Sequence, residues 1–396
     1  MREKILSVLA LMSISQAFAQ DNLINALANN QGKDVQKYYQ IKPVFAVGVT
    51  DVKDQGHSGT CWSYAGASFI ESEMKRMGKK TIDLAEIYTA RKVYLEKAIN
   101  YLRMHGALTW ADGGEMHDVI NMYHKYGAVP QSAYTGLING ATKNNFKEMQ
   151  KDLEAYLKEI VASGKVPANW KEVFEQKMDS YLGAVPKTFM YNGKMYTPET
   201  FGKEVVGLQD EKYMSLISIE SRPKYCNTLM AVPDNWCYEY AFNVTMEDLI
   251  RTIDYALSKG YTVGWGADVS EKSFSWKNGL ALVPEKDYKD LSEAEQKDYF
   301  HVYWNEKQIT PQMRQEAFDN YETTDDHAMQ IVGLAKDQKG REYYIVKNSW
   351  GTSNDNKGYL YVSKNYVRYK TMNIIVNQKG TPKDLVRKFK KAPYIS

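Results

Sequence analysis

One cysteine stands where a glycine-containing loop runs into a strongly helical stretch, and this junction constrains the fold more than any other feature. The loop covers residues 54–60, and after it apolar residues recur at three- and four-residue steps until Gly78. Cys61 is therefore predicted to lie in the first turn of a helix, where unpaired backbone N–H groups and the helix dipole lower a thiol pKa. A small apolar position in a core helix would also suit this cysteine, so the loop alone leaves both interpretations open.

A glutamine precedes this cysteine on the same loop. The Gln55 side-chain amide is placed to reach back beside the Cys61 N–H. Two such donors form an oxyanion hole, which stabilises a tetrahedral intermediate in acyl transfer. Gln55 is thus predicted to assist a Cys61 nucleophile.

A second set of reactive residues lies near the C-terminus, in short apolar segments typical of strands. His327 opens one predicted strand and Asn348 closes the next. A nucleophile, a base and a group that orients the base are the parts of a Cys–His–Asn triad. The sequence therefore predicts that Cys61, His327 and Asn348 act together, with Asn348 holding one ring nitrogen while the other faces the sulfur.

These stretches resemble the signature blocks of papain-like cysteine peptidases, and they occur in the family's order. The blocks are Gln55 with Cys61-Trp62, Asp112-Gly113-Gly114-Glu115, Asp326-His327-Ala328, and Asn348-Ser349-Trp350-Gly351. The segment between the cysteine and the histidine is about twice as long as in a plain papain domain. This insertion, together with residues 261–269, is similar to the bleomycin hydrolase/aminopeptidase C branch. The resemblance covers residues 51 to about 376.

The resemblance implies roles for individual residues. Cys61 would attack the scissile carbonyl, His327 would exchange the proton and Gln55 would bind the oxyanion. The positions assigned to the substrate side of the site are Gly113, Gly114, Trp350 and Asp326. Among these, Gly114 would bind the substrate backbone as an added strand does, and Trp350 would also shield the His–Asn hydrogen bond. The implied reaction is hydrolysis of peptide or protein substrates through a thioester, without a metal or an organic cofactor.

Three alternatives remain open. In the branch that this chain resembles, a C-terminal tail enters the cleft and its terminal carboxylate captures the substrate's amino terminus, whereas this sequence stops at Ser396. An endopeptidase therefore stands beside the expected aminopeptidase. A transglutaminase-type acyl transferase would use a Cys–His–Asp set, which Asn348 disfavours. The third alternative is a catalytically inactive binding or assembly protein on the same fold.

The resemblance and the pattern of elements predict an α+β chain with a papain-like two-lobed fold. The predicted helical lobe spans residues 51–244, carries the Cys61 helix and includes a large helical insertion at 141–220. The predicted β-rich, barrel-like lobe spans 245–396, carries the base with its orienting group, and ends in a helix. Related branch members use insertion helices for ring assembly, so a homo-oligomer is an expectation here as well.

The N-terminus has the pattern of a secretory signal peptide over residues 1–19, with a positive start, an apolar run and a small-x-small end. We expect cleavage near Ala19, an N-terminal arm at 20–50, and a secreted or periplasmic location.

Export would also affect the cysteines. Cys226 and Cys237 would be able to form a disulfide in an oxidising compartment, although two reduced, buried thiols are the alternative.

Composition and spacing argue against several other functions. A net charge of +3 gives no basis for an obligate nucleic-acid partner. After the signal no segment is long and apolar enough to span a bilayer. The spacing of His105, His117 and His124 does not match a usual zinc pattern, so no metal site is predicted.

Overall fold

The computed structural model describes residues 37–395. The predicted signal peptide and the predicted arm up to residue 36 lie outside the described residues. The α-helices are α1 (Cys61–Arg76), α2 (Glu86–Arg103), α3 (Met116–Tyr126), α4 (Lys147–Ser163), α5 (Trp170–Leu182), α6 (Pro198–Phe201), α7 (Met246–Ser258), α8 (Glu293–Lys297), α9 (Pro311–Asp319), α10 (Lys364–Lys370) and α11 (Lys383–Phe389). The strands are β1 (Lys42–Ala46), β2 (Phe189–Tyr191), β3 (Lys194–Tyr196), β4 (Tyr213–Ile217), β5 (Cys226–Leu229), β6 (Tyr240–Asn243), β7 (Val263–Ala267), β8 (Phe274–Ser275), β9 (Leu280–Ala281), β10 (His327–Lys336), β11 (Glu342–Lys347), β12 (Tyr359–Ser363), β13 (Thr371–Asn377) and β14 (Tyr394–Ile395).

A single mixed sheet organises the second half of the chain, so the predicted α+β class is confirmed. Its strands follow the order β14-β5-β6-β4-β13-β7-β10-β11-β12-β9-β8, and β1 joins by pairing with the far half of β10. Strand β7 is buried along its whole length because it lies between β10 and β13. The predicted lobe boundary at residue 244 falls inside this sheet, since β4, β5 and β6 belong to it.

Helix α1 is buried over nearly all of its length because apolar residues occur on every side of it. It packs against α3 on one side and against β10 on the other. The contact with α3 requires Gly66, where an added Cβ would lie within 3.0 Å of the Val119 side chain. The cysteine at the start of α1 is therefore held between the helices and the sheet.

The contact between α1 and the sheet is polar. Gln330 on β10 donates through its Nε2 to Ser72 Oγ at 2.9 Å, and its Oε1 accepts from Ser68 Oγ at 2.7 Å. Lys347 at the end of β11 donates to the same Ser68 hydroxyl at 2.7 Å. Buried polar groups that are mutually hydrogen-bonded fix one orientation of neighbouring elements, so this network sets how α1 meets β10.

The predicted helical insertion contains helices as expected. Helices α4 and α5 each bury one apolar stripe, which includes Met149, Leu153 and Leu157 on α4 and Phe174 and Met178 on α5. A two-stranded hairpin, β2 with β3, follows them. Whether these elements mediate assembly stays a prediction.

The predicted disulfide between Cys226 and Cys237 is absent, because both residues are free thiols. Cys226 begins β5 opposite Asn243 of β6, whereas Cys237 lies beyond the other end of this strand pair, where Leu229 faces Tyr240. The register therefore separates the two sulfurs by the length of the hairpin. In residues 37–395, no helix has the length and apolar character needed to cross a membrane.

Candidate active site

Cys61 is the first residue of α1, directly after a loop that hydrogen bonds keep closed. The Ser58 hydroxyl donates to Gln55 O at 2.8 Å, and the Thr60 carbonyl accepts from the Ser63 N–H at 2.9 Å. The sulfur is buried and receives backbone hydrogen bonds from Trp62 and from Ala328. Because Ala328 is the second residue of β10, these contacts bring the start of β10 to the first turn of α1.

His327 opens β10 and Asn348 follows β11, so the two side chains lie on neighbouring antiparallel strands. His327 Nε2 and Asn348 Oδ1 are 2.7 Å apart, and the Ser349 N–H donates to the same oxygen at 2.7 Å. A carbonyl oxygen accepts only, so Nε2 carries the hydrogen and Nδ1 carries the lone pair. Nδ1 is buried and has no hydrogen-bond partner among the described residues, which leaves it available to take a proton.

Trp350 covers this hydrogen bond. Its ring centroid is 4.5 Å from that of His327, with the planes inclined at 35°. The Trp276 ring packs edge-on against the Trp350 ring, and the two ring centroids are 5.4 Å apart. The aromatic cover keeps water away from the imidazole and explains why both His327 and Asn348 are buried. Trp350 is thus placed as a shield, and no contact of the structure tests its predicted role toward substrate.

Gln55 connects the cysteine loop to the segment after β11. Its Oε1 accepts from Ser349 Oγ at 2.7 Å, and its backbone N–H donates to Ser349 O at 2.9 Å. Its Nε2 donates one hydrogen to Ser58 O at 2.7 Å. A primary amide carries a second hydrogen on that nitrogen, which is the one an oxyanion would use.

Burial controls the protonation of the reactive pair. It raises the pKa of the Cys61 thiol well above its ordinary value, and the nearby charges of Asp234 and Asp325 raise it further. Burial also lowers the pKa of His327 to about 4, opposed by the Asn348 hydrogen bond. Both shifts favour the neutral forms of the pair, whereas the helix position alone predicts a thiolate.

A buried lysine stabilises the loop before α3 through two hydrogen bonds. Lys97 Nζ donates to Gly113 O at 2.7 Å and to Ala111 O at 2.9 Å. The Asp112 carboxylate accepts from the Gly59 N–H at 2.6 Å, so this loop also contacts the cysteine loop directly. Gly113 and Gly114 consequently lie beside the start of α1, and their role toward substrate stays a prediction.

Gly114 needs its small size, because an added Cβ would lie 3.0 Å from the Trp62 ring and 3.1 Å from the Asp118 carboxylate.

A group of carboxylates that sequence patterns did not predict lies beside the cysteine. The Asp234 carboxylate, on the loop between β5 and β6, packs directly on Gly113, where an added Cβ would lie within 3.0 Å of all three carboxyl atoms. Burial raises the pKa of Asp234 to about 7. Glu115 and Asp325 lie close by and interact electrostatically with each other. Glu115 is buried, and its carboxyl shares a hydrogen bond with that of Asp325, which requires a proton on one of the two groups.

Asp326 does not point its carboxylate at this group. It accepts from Thr324 Oγ1 at 2.6 Å and from the backbone N–H groups of Val269 and Ser270 at 3.3 and 3.2 Å. The side chain therefore holds the loop after β7. Its predicted contact with substrate is untested, and Asp325 is the neighbour whose charge reaches Cys61.

The fold and the enzyme class are those of a papain-like cysteine peptidase. The chain belongs to the peptidase C1-like family, whose profile matches residues 3–395.

Aminopeptidase C of Listeria monocytogenes serovar 1/2a is 24% identical, covering 96% of this chain and 91% of its own length. Aminopeptidase C of Lactobacillus delbrueckii subsp. lactis is also 24% identical, covering 90% and 86%. Among solved structures, PepW from Lactobacillus rhamnosis HN001 is similar with a TM-score of 0.69 at 21% identity, covering 89% of this chain and 86% of that one.

Proposed function

We propose that this cysteine peptidase is an exported aminopeptidase, which removes residues from the free N-terminus of peptides by means of Cys61, His327 and Asn348. The observation that carries the triad is the arrangement of His327, whose Nε2 is fixed on Asn348 at 2.7 Å while its Nδ1 is left for the thiol proton. The contact of the Ala328 N–H with the cysteine sulfur supports the same assignment.

The proposed reaction proceeds through a thioester. The Cys61 thiol proton moves to His327 Nδ1, and the sulfur forms a bond to the scissile carbonyl carbon, whose oxygen becomes an oxyanion. The Cys61 N–H and the Gln55 amide stabilise that oxyanion. The imidazolium then gives its proton to the leaving amine as the C–N bond breaks. A water molecule attacks the thioester with His327 as base, and the acid product and the thiol are released.

The neutral state of the pair bears on the timing of the first proton transfer. Burial raises the pKa of Cys61 and lowers that of His327, and both shifts disfavour an ion pair before substrate binds. We infer that the proton moves as the sulfur attacks. The rising positive charge on the imidazole is then stabilised by Asn348 Oδ1.

The group of carboxylates beside Gly113, formed by Asp234, Glu115 and Asp325, favours an aminopeptidase over an endopeptidase. The Asp234 carboxylate lies on Gly113, one of the two glycines beside the start of α1. Glu115 and Asp325 lie at the same place, and burial raises the pKa of both carboxyls, so their charged forms would be stabilised by a bound cation. A buried carboxylate gains most from a hydrogen-bonded cation, and the α-ammonium group of a peptide is a cation of suitable size. The names of the relatives, aminopeptidase C, agree with this choice.

A pair of substrates tests the proposal. Peptides of one sequence are offered with a free and with an acetylated N-terminus to the parent, to Cys61→Ala and to Asp234→Asn, with Asp210→Asn as an exposed control. We expect no hydrolysis by Cys61→Ala. We expect Asp234→Asn to lower kcat/KM on the free peptide roughly 10- to 100-fold, since a charge-assisted hydrogen bond contributes about 1.5–3 kcal/mol.

Two results would contradict the proposal. Equal cleavage of acetylated and free peptides by the parent would make the chain an endopeptidase. Undiminished hydrolysis by Cys61→Ala would remove the nucleophile. The Asp210→Asn control should match the parent on both peptides, because its side chain is exposed.

Export is tested separately. The mature protein recovered from outside the cytoplasm should begin near Gln20 when its N-terminus is sequenced. Recovery of the chain only from the cytoplasm with its first residues intact would refute this part of the proposal.

A further inference from the structure

A contact between a thiol and an imidazole lies outside the proposed triad. His117 and Asp118 are in the first turn of α3, and Cys237 is on the loop between β5 and β6. His117 Nε2 and Cys237 Sγ are 3.3 Å apart, Cys237 Sγ and Asp118 Oδ1 are 3.7 Å apart, and His117 Nε2 and Asp118 Oδ1 are 3.6 Å apart. Three potential ligand atoms therefore form a nearly equilateral triangle.

These separations match one face of a tetrahedral zinc site. Zinc binds imidazole nitrogen, thiolate sulfur and carboxylate oxygen at distances of roughly 2.0–2.3 Å, which places the ligand atoms about 3.3–3.8 Å from one another. One nitrogen, one sulfur and one oxygen is also a donor set that suits zinc, whereas magnesium and calcium prefer oxygen donors alone.

Outer contacts hold the aspartate in a ligating orientation. Asp118 Oδ2 accepts from the Glu115 N–H at 2.8 Å and from Trp236 Nε1 at 2.9 Å, so Oδ1 faces the histidine and the cysteine. Hydrogen bonds of this kind orient the ligands in known metal sites. His117 and Asp118 are buried, while Cys237 is only partly buried, which leaves a route for an ion to enter.

We propose that His117 Nε2, Asp118 Oδ1 and Cys237 Sγ bind a Zn²⁺ ion, with water in the fourth position. The Cys237 thiol proton is released to solvent as the sulfur–zinc bond forms, and His117 binds as a neutral imidazole. The ion would join α3 to the loop that places Asp234 on Gly113. Zinc binding does not rest on the proposed peptidase mechanism.

The experiment uses the full chain with Cys61→Ala, so that the proposed catalytic thiol cannot bind metal. Zinc is titrated against a chromophoric chelator, and Co²⁺ is added in a parallel titration to detect the charge-transfer absorption of a thiolate–cobalt bond. The same measurements are made after adding His117→Ala or Cys237→Ala, with Cys226→Ala as a matched cysteine control. Circular dichroism verifies that each variant is folded.

We expect one Zn²⁺ per chain, a loss of affinity of about 100-fold or more in each ligand variant, and no change in the Cys226→Ala control. Cys237→His, which keeps a ligand but removes the sulfur, should retain zinc and lose the thiolate–cobalt absorption. Unchanged zinc affinity in folded His117→Ala or Cys237→Ala would overturn the proposal, as would a thiolate–cobalt band that survives Cys237→His. Because every readout is taken without Cys61, failure here leaves the peptidase proposal to its own test.

Discussion

Replacing Gly113 by alanine tests the position of the Asp234 loop, on which the choice of an aminopeptidase depends. The new Cβ would lie within 3.0 Å of the Asp234 carboxyl carbon and both oxygens, a separation that real Cβ atoms essentially never show. The backbone of Gly113 is not in the left-handed region, so alanine can adopt the same backbone conformation. The steric overlap of its Cβ with the Asp234 carboxylate is then the main effect of the substitution. The carboxylate and its loop must therefore move away from the glycine.

The size of the effect follows from two opposing terms. Overpacking of this kind costs about 1–3 kcal/mol. Replacing glycine by alanine at a compatible position stabilises the folded protein by about 0.4–1 kcal/mol, because the unfolded chain has less conformational entropy. We expect Gly113→Ala to lower the free energy of unfolding by about 1–2 kcal/mol, and to lower kcat/KM on free N-termini as Asp234→Asn does.

Urea unfolding of a double-mutant cycle is the assay. In an Asp234→Ala background the overlap is gone, so Gly113→Ala should cost little, and the coupling energy should be about 1–2 kcal/mol. Gly48→Ala serves as a matched control, because its Cβ would meet only the flexible tip of Lys75. Effects that add within about 0.5 kcal/mol would show that Asp234 does not lie on Gly113 and would refute the reasoning.

Three further predictions concern the base, its protonation and a buried arginine. Asn348→Ala should lower kcat roughly 10- to 100-fold with little change in KM in steady-state kinetics. The reason is that the 2.7 Å hydrogen bond to His327 matters most when the imidazole is charged. An unchanged kcat would contradict the role assigned to Asn348. Burial lowers the pKa of His327 to about 4, while the unfolded histidine keeps its ordinary pKa. Between these two pH values the unfolded state binds more protons than the folded state. The free energy of unfolding should therefore fall by about 3 kcal/mol as the pH drops from roughly 6.5 to 4. Urea unfolding across that range should show the loss in the parent and a flatter profile in His327→Gln, and equal profiles would exclude His327 as the cause. Arg314→Met should lower the free energy of unfolding by roughly 3 kcal/mol or more in the same assay, because buried carbonyls of Ser218 and Thr371 lose their donor; a loss below about 1 kcal/mol would contradict this.

Local patterns were sufficient to predict the elements that carry the proposed triad. The three- and four-residue period predicted α1, and the short apolar runs predicted β10 and β11 with His327 and Asn348 at their ends. These elements are long or strongly apolar, so their own residues determine their secondary structure. The residue types at their ends, a nucleophile, a base and an orienting group, predicted that the three act together. The resemblance to a family was a second reason for this prediction, and the profile match shows that family.

The carboxylates and the thiol on the loop between β5 and β6 could not be predicted in the same way. Asp234 contacts Gly113 and Cys237 contacts His117 only because the sheet brings that loop to the start of α3. No spacing along the chain records such a contact. The two cysteines were predicted to pair for the same reason, since closeness in sequence does not reveal that a strand separates them.

The membership of strands β4, β5 and β6 in the main sheet was not predicted, because these strands are short. Each has four or five residues, and their alternation of polar and apolar side chains is weak. Their membership in the sheet depends on β13, which pairs with β4 and lies more than a hundred residues further along the chain. A pattern confined to one segment carries no information on a partner so distant.

The pairing of β1 with β10 has a consequence for how the protein folds during synthesis. Lys42 lies opposite Lys336 and Ala46 opposite Gly333. Strand β1 is synthesised early, but it cannot pair until β10 has been synthesised near the end of the chain. Contacts between such distant segments form slowly, because a long loop must close first. The sheet therefore assembles only after nearly the whole chain has emerged, and a nascent chain halted before residue 327 should be digested readily by proteases.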